Sequence, residues 1–443
     1  MSMDELLSLL REGRQAEAVD GLAAGRGGWR WHQLEAFGHA LDRLPAGLEP
    51  AQAGFVASAC VTVLSSGTAF PLVGGLAGLL ASHRIASRPV DTGYDQWRFG
   101  LLRPGVGARP PGTLPHVRVH LCLLDAGVVH PRMALGEALD DTLRRLDTSW
   151  QDIASLVDGF LAAGGEHLVL NTIPVPREHL DVVLDFRGKA RLARAWCEFN
   201  ARLLSLAEGD PRIVVLDTAS ALQDALPDGR FWDARLAARA RVQWTPAALA
   251  ALADAYARTI RALLGQARKC LVTDLDGTLW EGVLGDDGID GLGIEDGEAG
   301  NAHLRLQQAV AALGRQGVIL AVNSKNDHER VVQGLQSRAM PLRAGEIACL
   351  VANWRPKDEN MSHIASQLDI GLDSMVFLDD SRFEREIVRR RHPAVEVVEP
   401  GDDPALFVGR LLRAGLFDRP AVTAEDRGRN RSYAAATGQA ARG

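Results

Sequence analysis

The chain has 443 residues, of which 47% are hydrophobic and 24% charged, and its formal net charge at pH 7 is -7. This length exceeds what one ordinary hydrophobic core covers and indicates two or three domains, and the composition is typical of a globular protein. The net negative charge argues against non-specific binding to nucleic acid or to a membrane. No apolar run reaches the ~18 residues that a bilayer-spanning helix needs.

Localisation is indicated by the N-terminal segment and the cysteines. Residues 1–15 are amphipathic and carry acids, which is unlike a signal peptide. The chain has five scattered cysteines without CxxC spacing: Cys60, Cys122, Cys197, Cys270 and Cys349. This pattern predicts neither a disulfide framework nor a zinc site, and we expect a reducing, cytoplasmic location.

The first half of the chain is predicted to change from helices to alternating strands and helices. Residues 1–52 have apolar residues three and four apart, as in amphipathic helices. A short β-rich run begins at Val61 and opens a domain expected over 53–266. Its further strands are predicted at 117–124, 167–171 and 212–217, with helices at 150–163 and 190–207. An exposed loop is predicted at 103–115.

A second alternating series follows the long helix predicted at 246–264. It defines a domain over 267–426, with strands at 270–276, 317–323, 375–380 and 394–398. The tail at 427–443 is basic and rich in small residues, and we expect it to be partly disordered. Strands that alternate with helices form parallel sheets covered on both faces, so both large domains are predicted to be α/β.

Asp274 and Asp276 stand where the first strand of the second series ends, in the sequence DLDGT. The two-residue period of a strand points both carboxylates to one side, at the carboxyl edge of a parallel sheet, where open α/β sheets bind ligands. Gly277 permits a sharp exit from the strand, and Thr278 offers a hydroxyl and an N–H to a phosphate. Alone, such a pair of acids is a weak signal that fits a solvated turn equally well.

Two further buried strands and one loop direct polar groups to the same predicted edge. They contribute Ser324 and Lys325, Lys357 in the segment WRPK, and the adjacent pair Asp379 and Asp380. A nucleophilic carboxylate, a hydroxyl, a cation and a metal-binding acid pair are what phosphoryl transfer requires. Oxygen ligands without histidine or cysteine favour Mg²⁺.

This order of motifs resembles the haloacid dehalogenase (HAD) superfamily. The resemblance implies that Asp274 attacks phosphorus and that Asp276 acts as the acid and base, while its main-chain carbonyl binds Mg²⁺. Ser324 would bind phosphate and Lys357 would stabilise charge. Asp274, Asp379 and Asp380 would complete the metal ligands.

Four segments are similar in sequence to the motifs of the FkbH-like branch, HAD subclass IIIC. They are KCLVTDLDGTLWEGVLGDDG, LAVNSKND, ANWRPKDENM and FLDDSRFEREIV. The best-known members of that branch remove phosphate from 1,3-bisphosphoglycerate and load the glyceryl group onto an acyl carrier protein. The resemblance adds Lys325 and Asn326 as substrate-binding candidates, and a small hairpin flap at 280–294 without a large cap. Trp280 and Trp354 are candidates for substrate contact, although core packing is their simpler explanation.

The upstream half is similar to the SGNH-hydrolase-like domain that longer members of the branch carry. The turn after its first strand reads SSGT where true SGNH hydrolases have GDS, and no DxxH pair precedes Lys269. Ser65 and Ser66 are therefore weak candidates for a nucleophile. A docking or substrate-lid role is the better expectation for this domain.

This chain departs from the FkbH-like pattern at the cysteine that would carry the acyl group before its transfer to the carrier, here called the relay cysteine. Glyceryl-loading members are thought to carry the acyl group on a cysteine just before SKN, and this chain has Asn323 there. Cys270 lies four residues before Asp274 and is expected to be a buried apolar residue. Cys349 remains an outside candidate for the relay.

Three functions follow from these patterns. The first is a Mg²⁺-dependent enzyme that dephosphorylates a small phosphorylated acid and passes its acyl group to a phosphopantetheinylated carrier protein. A carrier-independent small-molecule phosphatase is the first alternative, motivated by Asn323. A non-catalytic scaffold that binds carrier domains is the second.

Overall fold

The structure is a computed structural model, and it divides the chain into two compact units, Met1–Leu264 and Gly265–Gly443. It describes residues 1–44, 49–105, 114–130, 135–223, 225–226, 228–294, 297–337 and 340–440. Residues 106–113 of the loop predicted at 103–115 lie outside these ranges. The helical region predicted at 1–52 falls within the first of these units.

The first unit is built on a parallel sheet. Its strands are β1 (Ala57–Ser65), β2 (Ile85–Ser87), β3 (Val90–Asp91), β4 (His116–Leu123), β5 (His167–Asn171) and β6 (Ile213–Leu216). The order is β2-β1-β4-β5-β6, and β3 continues along β1 beyond β2. Because β1 connects to β2 on one side while β4, β5 and β6 follow on the other, the strand order reverses between β1 and β4.

Helices cover this sheet. They are α1 (Met3–Arg11), α2 (Gln15–Ala24), α3 (Trp31–Asp42), α4 (Phe70–Ser82), α5 (Trp97–Leu102), α6 (Leu139–Ala162), α7 (Arg177–Asp181), α8 (Phe186–Gly209), α9 (Thr218–Gln223), α10 (Ala234–Ala240) and α11 (Pro246–Leu263). The N-terminal helices join through a close approach of α3 and α4. A Cβ atom on Gly38 would lie 2.0 Å from the Gly74 carbonyl oxygen, so only glycine permits this spacing.

The second unit contains a five-stranded parallel sheet. Its strands are β7 (Cys270–Thr273), β8 (Ile319–Ser324), β9 (Cys349–Ala352), β10 (Met375–Leu378) and β11 (Glu396–Val398), in the order β11-β10-β7-β8-β9. Every residue of β7, β8 and β10 is buried, as expected for central strands covered on both faces. The order reverses between β7 and β10, and a parallel α/β sheet binds ligands beyond the carboxyl ends of such strands.

Seven helices lie in the described part of this unit: α12 (Leu284–Asp287), α13 (Gly297–Arg315), α14 (His328–Ser337), α15 (Lys357–Gln367), α16 (Arg382–Arg391), α17 (Phe407–Arg413) and α18 (Ala424–Ala440). The segment predicted as a hairpin flap contains the short helix α12 and closes through an antiparallel bridge between Glu281 and Gly293. Residues 427–440 of the tail predicted at 427–443 lie in α18. Asn430 anchors this helix by accepting a hydrogen bond from the Leu320 N–H and donating one to the Glu346 carbonyl.

The α/β class with parallel sheets, predicted from the alternating pattern, is confirmed. Among the residues that the structure describes, no helix combines the length and apolar character that crossing a bilayer requires.

Candidate active site

The carboxyl edge of the second sheet brings three carboxylates together. Thr273 of β7 pairs with Leu378 of β10, so the next residues, Asp274 and Asp379, leave the sheet side by side. Asp274, Asp379 and Asp380 each offer an oxygen within 4.8 Å of the other two. These residues, predicted from two distant segments, therefore meet where the strand order reverses.

Lys357 is the cation within this cluster. It is the first residue of α15 and is only 3% exposed. Its Nζ lies 2.6 Å from Asp274 Oδ2 and 2.6 Å from Asp379 Oδ2. Burial lowers the pKa of Lys357, but the charges and hydrogen bonds of the two carboxylates outweigh it and leave the pKa raised. The ammonium group is therefore held charged between the two acids.

The acid pair after β10 resists ionisation. Burial and the Asp274 charge raise the pKa of Asp379, against the opposing effect of Lys357. Partial burial and the Asp274 charge likewise raise the pKa of Asp380. A divalent cation would relieve this repulsion, because carboxylate oxygens are hard ligands.

Asp274 Oδ1 is a buried atom without a hydrogen-bond partner among the described residues. A buried, unpartnered carboxylate oxygen is costly unless a further group satisfies it. Together with the oxygens of Asp379 and Asp380, it fits one ligand of a divalent metal or the attacking atom of a nucleophile. The donor set thus suits Mg²⁺, as the sequence predicts.

Asp276 is oriented by its own hydrogen-bond network rather than by the carboxylate cluster. Its Oδ1 accepts from Trp280 Nε1 at 2.7 Å and from the Leu284 N–H at 3.2 Å, and its Oδ2 accepts from Asn326 Nδ2 at 2.8 Å. Trp280 is fully buried. Its indole therefore packs in the core and holds Asp276, and its substrate-contact role has no support in this geometry.

Gly277 and Thr278 join the two acidic segments. Gly277 has a φ of +67°, and a Cβ there would lie 2.7 Å from Asp380 Oδ2. The Thr278 hydroxyl donates to Asp380 Oδ1 at 3.1 Å and accepts from the Asp380 N–H at 3.1 Å. The sharp exit expected at Gly277 is thus also a site of close approach, while the Thr278 hydroxyl binds Asp380.

The residues after β8 divide into two groups. Ser324 is 1% exposed, and its hydroxyl accepts from Asn326 Nδ2 at 3.1 Å, which ties both to Asp276. Lys325 turns instead to Glu384, with Nζ 2.5 Å from Oε1. Lys325 can therefore donate a hydrogen bond to a phosphate, as predicted, only if it leaves Glu384. Trp354 is 75% exposed and free of core packing.

Two buried residues that the sequence did not predict support the acidic segments. Arg385 is buried, and its Nη1 donates to the main-chain carbonyls of Asp379 and Asp380, at 2.6 Å each. His303 Nδ1 lies 2.7 Å from the Thr278 carbonyl oxygen. Arg385 lies in the first turns of α16, directly after the acid pair, whereas no local pattern in the sequence marks His303.

The cysteines lie away from this edge. Cys270 and Cys349 begin β7 and β9, at the opposite ends of the strands from the carboxylates. Burial raises the pKa of the Cys349 thiol to about 12 and also raises that of Cys270. Neither thiol is activated for nucleophilic attack. The relay position is occupied by Asn323, which is fully buried and donates from Nδ2 to the Lys357 carbonyl.

The fold is shared with a solved structure, the N-terminal part of the protein BF1531 from Bacteroides fragilis, described as containing a phosphatase domain complexed with Mg. The TM-score is 0.74 and the identity 21%, over 89% of this chain and 100% of that one. The shared fold therefore extends over both units. No protein-family model and no curated protein matches the chain.

Proposed function

We propose that the second unit is a Mg²⁺-dependent phosphatase of the HAD type, with Asp274 as its nucleophile. The observation that carries this proposal is the convergence of Asp274, Asp379 and Asp380 within 4.8 Å around the buried Lys357. The described Mg complex of the Bacteroides fragilis phosphatase domain supports the choice of ion.

The two half-reactions use this chain's own residues as follows. Asp274 Oδ1 attacks phosphorus while the bond to the leaving oxygen breaks, and Asp276 gives that oxygen its proton. Asp276 then takes a proton from water, which attacks the aspartyl-phosphate and releases inorganic phosphate. The three hydrogen bonds to Asp276 hold its carboxylate in place for both transfers.

Charge control is shared between Lys357 and the metal ligands. Lys357 neutralises Asp274 as it approaches an anionic phosphoryl group, since its Nζ is 2.6 Å from Oδ2. When bound by Asp274, Asp379 and Asp380, Mg²⁺ supplies neutralisation and orientation of the transferring group. Arg385 supports these ligands through the main-chain carbonyls of the acid pair.

We further propose a class of substrate and an acceptor for its acyl group. The motif resemblance to the FkbH-like branch supports a small phosphorylated acid of the 1,3-bisphosphoglycerate type, whose acyl group passes to an acyl carrier protein. In that transfer the phosphopantetheine thiol attacks the acyl-phosphate carbonyl, a thioester forms and phosphate leaves with the thiol proton. Asp274 would serve there as a metal ligand and not as the nucleophile. Because Asn323 replaces the relay cysteine and Cys270 and Cys349 are buried, the thiol would attack without an enzyme thioester.

A carrier-independent phosphatase is the second candidate, and Asn323 favours it. The two candidates separate in one experiment, in which the protein, Mg²⁺ and 1,3-bisphosphoglycerate are incubated with and without a phosphopantetheinylated carrier. Acyl transfer predicts a mass increase on the carrier in intact-protein mass spectrometry. Phosphate release with no such increase, at a rate independent of carrier, selects the phosphatase.

The Asp274→Asn variant tests the nucleophile of the phosphatase, and in the acyl transfer it tests the same residue as a metal ligand. We expect it to lose phosphate release by about 10³-fold or more, since a removed nucleophile leaves only binding and electrostatic contributions. Asp402→Asn, which changes an exposed acid of the same unit, is the matched control. Pathway output that is unchanged in Asp274→Asn would instead support a non-catalytic carrier-binding scaffold.

A further inference from the structure

A cavity of about 460 Å³ opens in the first unit. Its walls come from segments that follow β3, β5 and β6, so it lies beyond the carboxyl ends of these parallel strands. The wall at 229–243 is tied to the turn after β1: the Thr68 N–H donates to the Arg241 carbonyl at 2.9 Å, and the Thr68 hydroxyl donates to the Ala240 carbonyl at 3.0 Å. The cavity thus sits near the reversal of strand order, where open α/β sheets bind ligands. Its volume is within the range of roughly 300–1,000 Å³ typical of small-molecule sites.

The lining combines aromatic and cationic side chains. These are Tyr94, Phe231, Trp232, Arg177, Arg230 and Arg241. Two acids, Glu178 and Asp233, also line the cavity, so three arginines leave one net positive charge. The Asp233 carboxylate is already engaged, because its Oδ1 accepts from the N–H groups of Arg235 and Leu236 at the start of α10.

Arg241 is fixed in the wall. Its φ of +55° places it in the left-handed region, which is unfavourable for a side chain with a Cβ. Its guanidinium lies 5.0 Å from the centre of the Tyr94 ring, and its Nη1 donates to the Tyr94 hydroxyl at 3.1 Å. Within the described ranges, no carboxylate forms an ion pair with Arg241 or Arg230, whereas Arg177 pairs with Asp181. Two guanidinium groups are therefore available to an anion.

Among the described residues, the serines at the end of β1 have no catalytic partner of the kind that a serine hydrolase needs. The Ser65 hydroxyl accepts from the Gly67 N–H, and the Ser66 hydroxyl accepts from the Asp125 N–H. In the part of the chain that the structure describes, no histidine hydrogen-bonds to either hydroxyl. A general base for either serine is thus missing from the geometry. Neither serine lines the cavity, whose described walls contain no serine, cysteine or histidine, so its lining is that of a binding site.

We propose that this cavity binds a small organic anion, with its phosphate or carboxylate on Arg230 and Arg241 and its planar or apolar body against Phe231 and Trp232. Guanidinium groups match both oxyanions, and an aromatic wall accepts a flat body. This site is separate from the carboxylate cluster of the second unit and does not depend on the function proposed there.

The full chain, titrated by calorimetry with phenyl phosphate, benzoate and phenol, tests the proposal. Both anions are expected to bind, and phenol at least about tenfold more weakly, because it lacks the charge-assisted hydrogen bonds. Phenyl phosphate binding alone assigns the site to phosphate esters, and binding of both assigns it to organic anions in general. Equal binding of phenol, or no binding of either anion, overturns the proposal.

Variants locate the site. Arg230→Gln and Arg241→Asn should each weaken anion binding by about tenfold, and asparagine tolerates the left-handed backbone at 241. Arg187→Gln changes an exposed arginine of α8 outside the cavity and should leave binding unchanged. Phosphatase activity should also be unchanged in the cavity variants. Benzoate binding that survives both cavity substitutions overturns the proposal; benzoate decides here because the carboxylate cluster of the second unit is proposed to bind phosphate esters as well.

A measurement on the unmodified protein avoids dependence on variant folding. Phenylglyoxal modifies accessible arginines, and peptide mapping by mass spectrometry reads each position. Saturating phenyl phosphate or benzoate should protect Arg230 and Arg241 but leave Arg187 reactive. Equal modification of all three with and without the anion rejects the site.

Discussion

Asn323 donates a hydrogen bond from Nδ2 to the main-chain carbonyl of Lys357 at 2.9 Å, which links the end of β8 to the start of α15. Asn360 donates to Asn323 Oδ1 at 3.1 Å and continues the link into that helix. Because Lys357 Nζ contacts Asp274 and Asp379, Asn323 acts as a positioning residue for the cation of the site. The residue that departs from the expected cysteine therefore has a structural role of its own.

Asn323→Ala should lower both stability and turnover. The buried Lys357 carbonyl and the Asn360 amide lose a partner, which costs about 1–3 kcal/mol in the free energy of unfolding. A displaced Lys357 should reduce kcat by about 10-fold to 100-fold. Urea unfolding and phosphate release measure the two effects. Asn301→Ala, at an exposed position on α13, is the control, and an equal effect in both variants would contradict the positioning role.

Gly277→Ala should damage the site through the backbone. The residue has a φ of +67°, and the added Cβ would meet Asp380 Oδ2 at 2.7 Å. We expect a loss of about 1–3 kcal/mol in the free energy of unfolding and weaker Mg²⁺ binding, because Asp380 must move.

At a control glycine, Gly428, the same substitution should raise the free energy of unfolding instead of lowering it. Gly428 lies within α18, and a Cβ there has nothing within 4 Å. Gly428→Ala should stabilise the protein by about 0.5–1 kcal/mol through its helix preference. Thermal melts of both variants, with and without Mg²⁺, measure the pair. A neutral Gly277→Ala would show that neither the φ nor the close approach constrains this turn.

Much of the candidate site at the carboxyl edge of the second sheet could be predicted because its strands are buried and end in polar residues. Strands β7, β8 and β10 are buried throughout, and their apolar runs lead to Asp274, to Ser324 at the end of β8 and to Asp379, so a local pattern predicts where those residues go. The opposite holds for β2 and β3, whose three and two residues of mixed burial carry no recognisable period. Their pairing with β1 is decided by the tertiary fold.

Contacts between side chains on separate elements could not be predicted in the same way. Because Lys325 follows a strand end, the sequence predicts that it donates a hydrogen bond to a phosphate. In the structure it donates to Glu384, 59 positions later in the chain. Likewise, Asp276 is separated from Asn326 by 50 residues. Sequence spacing assigns a residue to an edge, but only the packing of α16 and of the loop after β8 determines its partner there.

Mg²⁺ should stabilise the protein against unfolding, and this effect should depend on Asp379. An ion that binds only the folded state contributes about 2.7 kcal/mol at 100 times its Kd. Asp379→Asn removes one of the three clustered carboxylates and should abolish most of the shift in Tm.

The control for the metal experiment is Asp402→Asn, at an exposed position outside the cluster, which should keep the full shift. Chelator-treated protein gives the metal-free baseline for all three proteins, and Ca²⁺ in place of Mg²⁺ tests the preference for the smaller ion. An identical Mg²⁺ response in Asp379→Asn and in the unmodified protein would rule out the carboxylate cluster as the binding site.

Asp125 gives the first unit a pH-dependent stability. Burial raises the pKa of its carboxyl to about 6, against hydrogen bonds from the Gly127 N–H and Ser66 that lower it. Because the folded-state pKa lies above the ordinary value, the folded state keeps the proton to a higher pH than the unfolded chain does. Stability is therefore lost as the pH rises from about 4 through about 6.

Asp125→Asn removes the ionisation and should be more stable than the unmodified protein at pH 7 by about 2–3 kcal/mol, with the difference shrinking toward pH 4. Urea unfolding across this pH range measures the difference. The control Asp152→Asn, at an exposed position on α6, should stay within about 0.5 kcal/mol of the unmodified protein. An advantage of Asp125→Asn that is the same at pH 4 and pH 7 would exclude ionisation of Asp125 as its cause.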